Sequence, residues 1–336
     1  MKKGLEKSFV EVVGMIKSAR HKAYRAVNTV LIDLYWQVGE YISRKIASAA
    51  WGDGVVEELA EYIAQHHPDL RGFTRPNLFR MKQFYETYRS NPKLAAVLRE
   101  LPWSSNLHIL SKCKSMEERT FYLQAAIREK WAVRVLERQI DSGLFERMLL
   151  TPPKVSTLLR QLYPEAAEVF RDTYVLDFLD LPASHSEKDL QNALVLNLKK
   201  FIMEAGRDLC FVGQEFPLQV GQKDFFVDLV FFHRGLQCLV AFEIKIDEFK
   251  PEHLGQLSFY LEALDRKVRK PHEKPSVGIL LCKSKDEEVV EFALNRTLSP
   301  ALVAEYRMRL PEKALLQRKL HEFYELETGR RRKDRS

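Results

Sequence analysis

A chain of 336 residues, 46% hydrophobic and 29% charged, has the composition of a folded protein and exceeds the usual length of a single domain. Its four cysteines, Cys113, Cys210, Cys238 and Cys282, lie far apart with no C-x-x-C pair, which argues against zinc fingers and a disulfide framework. The net charge of +7 suits a polyanionic partner, and neither a signal-peptide core in MKKGLEKSFVEVV nor an apolar run of about 18 residues is present, so a cytoplasmic protein without a membrane partner is expected.

Residues 1–150 read as a helical domain. NTVLIDLYWQVGEYISRKI sets Val30, Leu34, Val38 and Ile42 at four-residue steps, and GVVEELAEYIAQHHP repeats the pattern until Pro68 stops it. In DLRGFTRPNLFRMKQFYETYRSNP, Gly72 marks a turn, Thr74 is a good N-cap and Pro76 sits in the first turn of a new helix. Helix 54–67 and the helix from 75 can be read as a helix-turn-helix, with Arg75, Asn77 and Arg80 on base edges and Lys82 on the backbone. The turn is longer than that motif's usual three or four residues, and a helical bundle with a wet basic face explains the same pattern equally well. This domain is expected to recognise DNA or to bind a protein partner.

Residues 151–175 carry Pro152, Pro153 and Pro164 and read as the connection to a second domain, 176–328. There a long helix, SEKDLQNALVLNLKKFIMEAG, is expected to end at Gly206, followed by strands at 209–220, 225–232 and 238–246, a helix, and a strand at 275–284. That order is an α/β pattern with a crossover into the sheet. The tail GRRRKDRS, 329–336, is basic.

The segment VDLVFFHRGLQCLVAFEIK, 227–245, carries charge inside two apolar strands. An unpaired charge there costs several kcal/mol or neutralises itself, so Asp228, Glu243 and Lys245 need a reason. With a turn centred on Arg234-Gly235, Asp228 faces Ala241 and is the diagonal neighbour of Glu243, with Cβ atoms about 7 Å apart. Lys245 follows on the same face about 6.6 Å along the strand. Two carboxylates so placed can share one hard divalent cation, Mg²⁺ or Mn²⁺, and the lysine can orient or deprotonate a water and offset phosphate charge. An exposed face bearing an Asp and a Glu–Lys pair is the plain alternative, but Val227, Leu229, Val230, Ala241, Phe242 and Ile244 make both faces largely apolar.

DFFVDLVFF, FEIK and FKPEHLGQLSFYLEALD resemble the YhcG-like members of the PD-(D/E)XK nuclease superfamily, and YWQVGEYI, WGDGVVEELA, GFTRPNLFRMKQFY and LPWSSNLHIL resemble their helical N-terminal region. The resemblance implies that Asp228, Glu243 and Lys245 are the D…(E)XK residues, although Val227 stands where the superfamily has proline. It implies DNA as substrate. The implied fold is α + α/β: a helical N-terminal domain, then a restriction-endonuclease-like domain with a four-stranded mixed sheet flanked by helices.

Many members carry an acidic residue on the helix before the sheet, for which Glu187 is the candidate; Ser184-His-Ser-Glu187 also fits a capping box. The resemblance implies Glu at 191, where this chain has Gln191. Gln256-x-x-x-Tyr260 resembles the Q-x-x-x-Y motif of RecB-like nucleases, and its spacing puts both side chains on one helix face. Lys250 and Lys223 are candidates for phosphate contacts. The rival readings are a non-cleaving DNA-binding protein and a partner-dependent subunit of a restriction or repair complex; self-association is compatible with each.

Overall fold

The computed structural model describes residues 2–49, 51–182, 184–206 and 208–322, so the basic tail lies outside the described residues. The chain divides into two compact units, Met1–Ile140 and Asp141–Ser336. No described helix is long and apolar enough to cross a membrane.

The first unit is helical: α1 (Lys2–Ala47), α2 (Asp53–His66), α3 (Arg75–Tyr88), α4 (Ala95–Glu100), α5 (Trp103–Lys112), α6 (Met116–Arg128) and α7 (Val133–Asp141). Tyr35, Ile42, Val56, Leu78 and Met81 form a core where α1, α2 and α3 meet. The stripe expected on α1 holds only in its second half. Val30 is 69% and Leu34 40% exposed, so the first half of the stripe faces out, while Val38 packs on the core and Ile42 is buried with Ile32 and Tyr35. The packing of α3 decides this: at Gly39 a side chain would run into the Met81 backbone, so the buried face must pass through residue 39.

The second unit opens with α8 (Leu144–Leu150), α9 (Thr157–Leu162), α10 (Ala166–Val169) and β1 (Thr173–Val175). Residues 151–175 are therefore more than a connection. Val155, Leu159, Tyr163, Phe170 and Tyr174 belong to the core of the sheet domain, and the prolines punctuate short helices there. The helix expected as far as Gly206 breaks at Asn197 into α11 (Glu187–Leu196) and α12 (Leu198–Ala205). Then come β2 (Leu209–Val220), β3 (Lys223–His233), β4 (Cys238–Glu248), α13 (Glu252–Lys267), β5 (Lys274–Ser284), α14 (Glu287–Arg296) and β6 (Ala301–Arg307).

The sheet has six strands, not four, in the order β1-β6-β5-β4-β3-β2. β2, β3 and β4 form an antiparallel meander; β4, β5, β6 and β1 run parallel. One face is covered by the 155–179 segment with α11 and α12, the other by α13 and α14, each over its own apolar cluster. The edge strand β1 is held by charge as well: Glu204 on α12, fully buried, accepts the Val175 N–H at 3.0 Å and pairs with Arg171 at 3.0 Å and Arg147 at 3.4 Å. Two cations and a backbone donor on one carboxylate are the compensation a buried charge needs.

Candidate active site

The β3–β4 hairpin is a longer loop than a turn on Arg234-Gly235. His233 pairs with Cys238, and the register runs to Leu229 opposite Phe242, where pairing stops. Extending that register sets Asp228 directly opposite Glu243 rather than diagonal to it. The ladder ends because the strands hand their backbone groups to side chains. The Ile244 N–H donates to Asp228 Oδ2 at 2.7 Å, and Gln191 Nε2, from α11, donates to the Asp228 carbonyl at 2.7 Å.

β3 also reorients here. Val227 packs in the cluster under α13 while Leu229 packs in the cluster on the opposite face, though a regular strand would put both on one side. Across β2, Glu215 stands at φ 41°, a left-handed conformation unusual for a non-glycine residue, level with Asp228. The carboxylate is thus offered at a break in the strand.

Glu243 is 2% exposed. Its Oε1 accepts from Lys245 Nζ at 3.1 Å, and its Oε2 is buried with no hydrogen-bond partner. Burial, then the neighbouring Asp228 carboxylate, pushes its pKa up from 4.5 to about 7, against the pull of Lys245. Burial likewise raises Asp228, opposed by the Ile244 N–H and Lys245. For Lys245, burial disfavours the charged form, but Glu243, Glu187 and Asp228 outweigh it and hold the pKa above the usual lysine range. A lysine held protonated in this way is a hydrogen-bond donor beside Glu243 and Glu187.

Glu187 is the first residue of α11, and its capping box is Ser186 with Asp189, not Ser184 with Glu187. Ser186 Oγ accepts the Asp189 N–H at 3.1 Å and Asp189 Oδ2 accepts the Ser186 N–H at 2.9 Å. That leaves the Glu187 side chain to reach Lys245 Nζ, 3.4 Å from its Oε2. Among the described residues no group of three or more His, Cys, Asp or Glu is placed to hold a metal ion, so Glu187 stands on the lysine and not beside the two strand carboxylates.

On α13, Gln256 Nε2 donates to Tyr260 Oη at 2.9 Å. Tyr260 is buried; burial raises its pKa, the Gln256 bond lowers it, and Glu243 and Asp228 are close enough to raise it further. The Gln–Tyr pair therefore lies within electrostatic reach of the carboxylates. Lys250 is exposed just before this helix, and Lys223 is exposed at the start of β3.

The test for a metal is the donor set. A hard divalent cation takes oxygen ligands, and the partnerless Glu243 Oε2 beside Asp228 supplies them. The residues fit such an ion, with Asp228 and Glu243 as its holders. Sequence reasoning missed Gln191 as a brace for Asp228 and the Ile244 N–H as its donor; the first was legible only as a polar residue four after Glu187.

In the first unit the helix-turn-helix residues are largely engaged. Asn77 donates from Nδ2 to the Gly72 carbonyl and accepts from Trp103 Nε1 at 3.1 Å, so both ends of its amide hold the loop 67–74 and α5 in place. Arg75 pairs with Glu57 at 3.5 Å and lies over the Phe79 ring, and Lys82 pairs with Glu86 at 3.5 Å. Arg80 is exposed.

Family models match both halves of the chain. Residues 167–321 match the YhcG PDDEXK nuclease domain model and residues 11–147 the DUF1016 N-terminal domain model. The Escherichia coli (strain K12) protein named "Putative nuclease YhcG" is 31% identical over 96% of this chain and 95% of its own length. This chain belongs to the YhcG-like PD-(D/E)XK family. The YhcG nuclease-domain match spans every strand from β1 to β6 and contains Glu187, Asp228, Glu243, Lys245, Gln256 and Tyr260. A repair endonuclease from Pyrococcus abyssi aligns over 39% of this chain and 50% of its own at a TM-score of 0.26 and 18% identity, too slight an overlap to bear on fold or function.

Proposed function

We propose that this YhcG-like protein hydrolyses nucleic-acid phosphodiester bonds, DNA in the first instance, with Mg²⁺ or Mn²⁺. The observation that carries the reading is the buried Glu243 Oε2 with no hydrogen-bond partner, opposite Asp228 and beside the Lys245 ammonium. When bound, the cation supplies a water of lowered pKa and stabilises charge on the pentavalent phosphate. Asp228 and Glu243 hold it. The Ile244 N–H and Gln191 fix where Asp228 stands, and Lys245 orients the attacking water and offsets phosphate charge. Exposed Gln256 lines the path of the strand, held by its bond to the buried Tyr260. Glu187 keeps Lys245 in place through its ion pair at 3.4 Å. Lys250 lies where it can meet a flanking phosphate, and in the helical unit exposed Arg80, with Arg75 and Lys82, forms the basic surface proposed for nucleic acid.

The experiment is incubation of linear duplex, circular duplex and single-stranded DNA, and of RNA, with the protein in Mg²⁺, Mn²⁺ or EDTA. Metal-dependent cutting of DNA supports the reading, and cutting of RNA alone moves the substrate. A second reading, a non-cleaving DNA-binding protein, is favoured by Gln191, whose amide is committed to a backbone carbonyl where the family resemblance implies an acid. It predicts salt-sensitive DNA binding with no cutting in any metal.

A further inference from the structure

Helix α13 carries His253, Gln256 and Tyr260 at i, i+3 and i+7, one face of the helix. Its Tyr260 end lies within electrostatic reach of Glu243 and Asp228. At the other end, His253 is half-buried and near enough to the Lys245 ammonium and the Glu187 carboxylate to feel both charges. The row spans about 10 Å of helix, roughly three base steps of a nucleic-acid strand.

The ring is held in one tautomer. His253 Nδ1 accepts the Lys250 backbone N–H at 3.2 Å, while the His253 N–H donates back to the Lys250 carbonyl at 3.0 Å. The Phe249 ring packs edge-on, 6.4 Å between centroids. A nitrogen that accepts a hydrogen bond carries no proton, so the hydrogen sits on Nε2. That donor has no acceptor among the described residues. Burial and then Lys245 hold the imidazole below its usual pKa.

We propose that His253 is a substrate-contacting residue whose Nε2–H donates to a phosphate oxygen of the nucleic-acid strand on the Lys245 side of the scissile bond. The inference rests on the nuclease reading above and adds to it: the strand lies along the His253–Gln256–Tyr260 face, and the contact at its first position is a neutral donor.

Two substitutions divide the ring's functions. In His253→Asn, the amide oxygen can replace Nδ1 as acceptor for Lys250, but nothing replaces Nε2. In His253→Gln, the longer amide places an N–H donor where Nε2 stood. The test measures DNA affinity in EDTA across a salt series, cleavage kcat and KM in Mg²⁺, and melting temperature for wild type and both variants. The expected result is that His253→Asn melts like wild type yet binds DNA about tenfold more weakly and raises KM correspondingly, while His253→Gln keeps the wild-type affinity. The salt slope stays unchanged, because a neutral donor releases no counterion. Wild-type affinity and KM in His253→Asn, with cleavage intact, overturn the inference and leave the nuclease standing. Wild type that cuts no nucleic acid in either metal overturns the nuclease reading, and this inference with it.

Discussion

Gln191 on α11 donates its amide to the main-chain carbonyl of Asp228, 2.7 Å away, and is only 4% exposed. The bond replaces the β-ladder bond lost where β3 leaves β4, so a helix side chain sets the height of a candidate metal ligand. Gln191→Leu removes the side-chain donor of a part-buried carbonyl, a cost of about 1 kcal/mol. The expected outcome is a loss of that size in chemical denaturation together with weakened Mn²⁺ binding by titration calorimetry. A destabilised variant with unchanged Mn²⁺ affinity contradicts the link.

The Glu243 carboxyl, raised from 4.5 to about 7, makes stability depend on pH. The folded state holds its proton more tightly than the unfolded chain, so this residue's contribution is most favourable below about 4.5 and is lost as pH rises toward 7. At pH 8 without divalent metal the loss is on the order of 3 kcal/mol, at 1.36 kcal/mol per unit. Glu243→Gln is therefore expected to be inactive yet more stable than wild type at pH 8 in EDTA, with the difference vanishing at pH 4.5. Melting curves across pH check this, and a variant less stable at pH 8 contradicts it.

The distance of α13 from the sheet is set at Gly278 on β5. A Cβ there would lie 2.8 Å from Leu257, whose neighbours on the helix are the Gln256 and Tyr260 turns. Gly278→Ala is expected to cost about 1–3 kcal/mol by overpacking. Leu257→Ala in the same chain should recover part of that loss, a coupling visible in a double-mutant cycle. Strict additivity of the two losses contradicts the contact.

Breaking the buried cluster at β1 is the largest stability effect foreseen. Glu204→Ala removes the carboxylate that pairs with buried Arg171 and Arg147 and the acceptor for the Val175 N–H, so a loss of about 3–5 kcal/mol is expected. Equilibrium urea unfolding measures it; a loss under about 1 kcal/mol contradicts the account.

The elements around the candidate site were legible because their sequence signals are local. The strands at 209–220 and 275–284 stand within a residue of the observed β2 and β5, since apolar runs bounded by turns mark them well. The charges of Asp228, Glu243 and Lys245 announced themselves by their apolar setting. What the sequence concealed depends on partners distant along the chain. The hairpin register hung on a loop that runs from His233 to Cys238, not on the Arg-Gly pair. β1, three residues long, forms only against β6, and its anchor Glu204 reads as an ordinary helix acid. The regular α1 spacing from Val30 did not show where burial begins; the approach of α3 at Gly39 sets the buried face through Tyr35, Val38 and Ile42.

The central claim is that Lys245, beside Glu243 and within reach of Glu187, serves a metal-dependent phosphodiester cleavage. Its most direct test compares wild type with Lys245→Ala on linear and circular DNA in Mg²⁺, Mn²⁺ and EDTA. The account predicts cutting by wild type in either metal, none in EDTA, and a fall of roughly 100-fold or more in the variant with its fold intact. Equal cutting by the two proteins, or cutting that persists in EDTA, would contradict it.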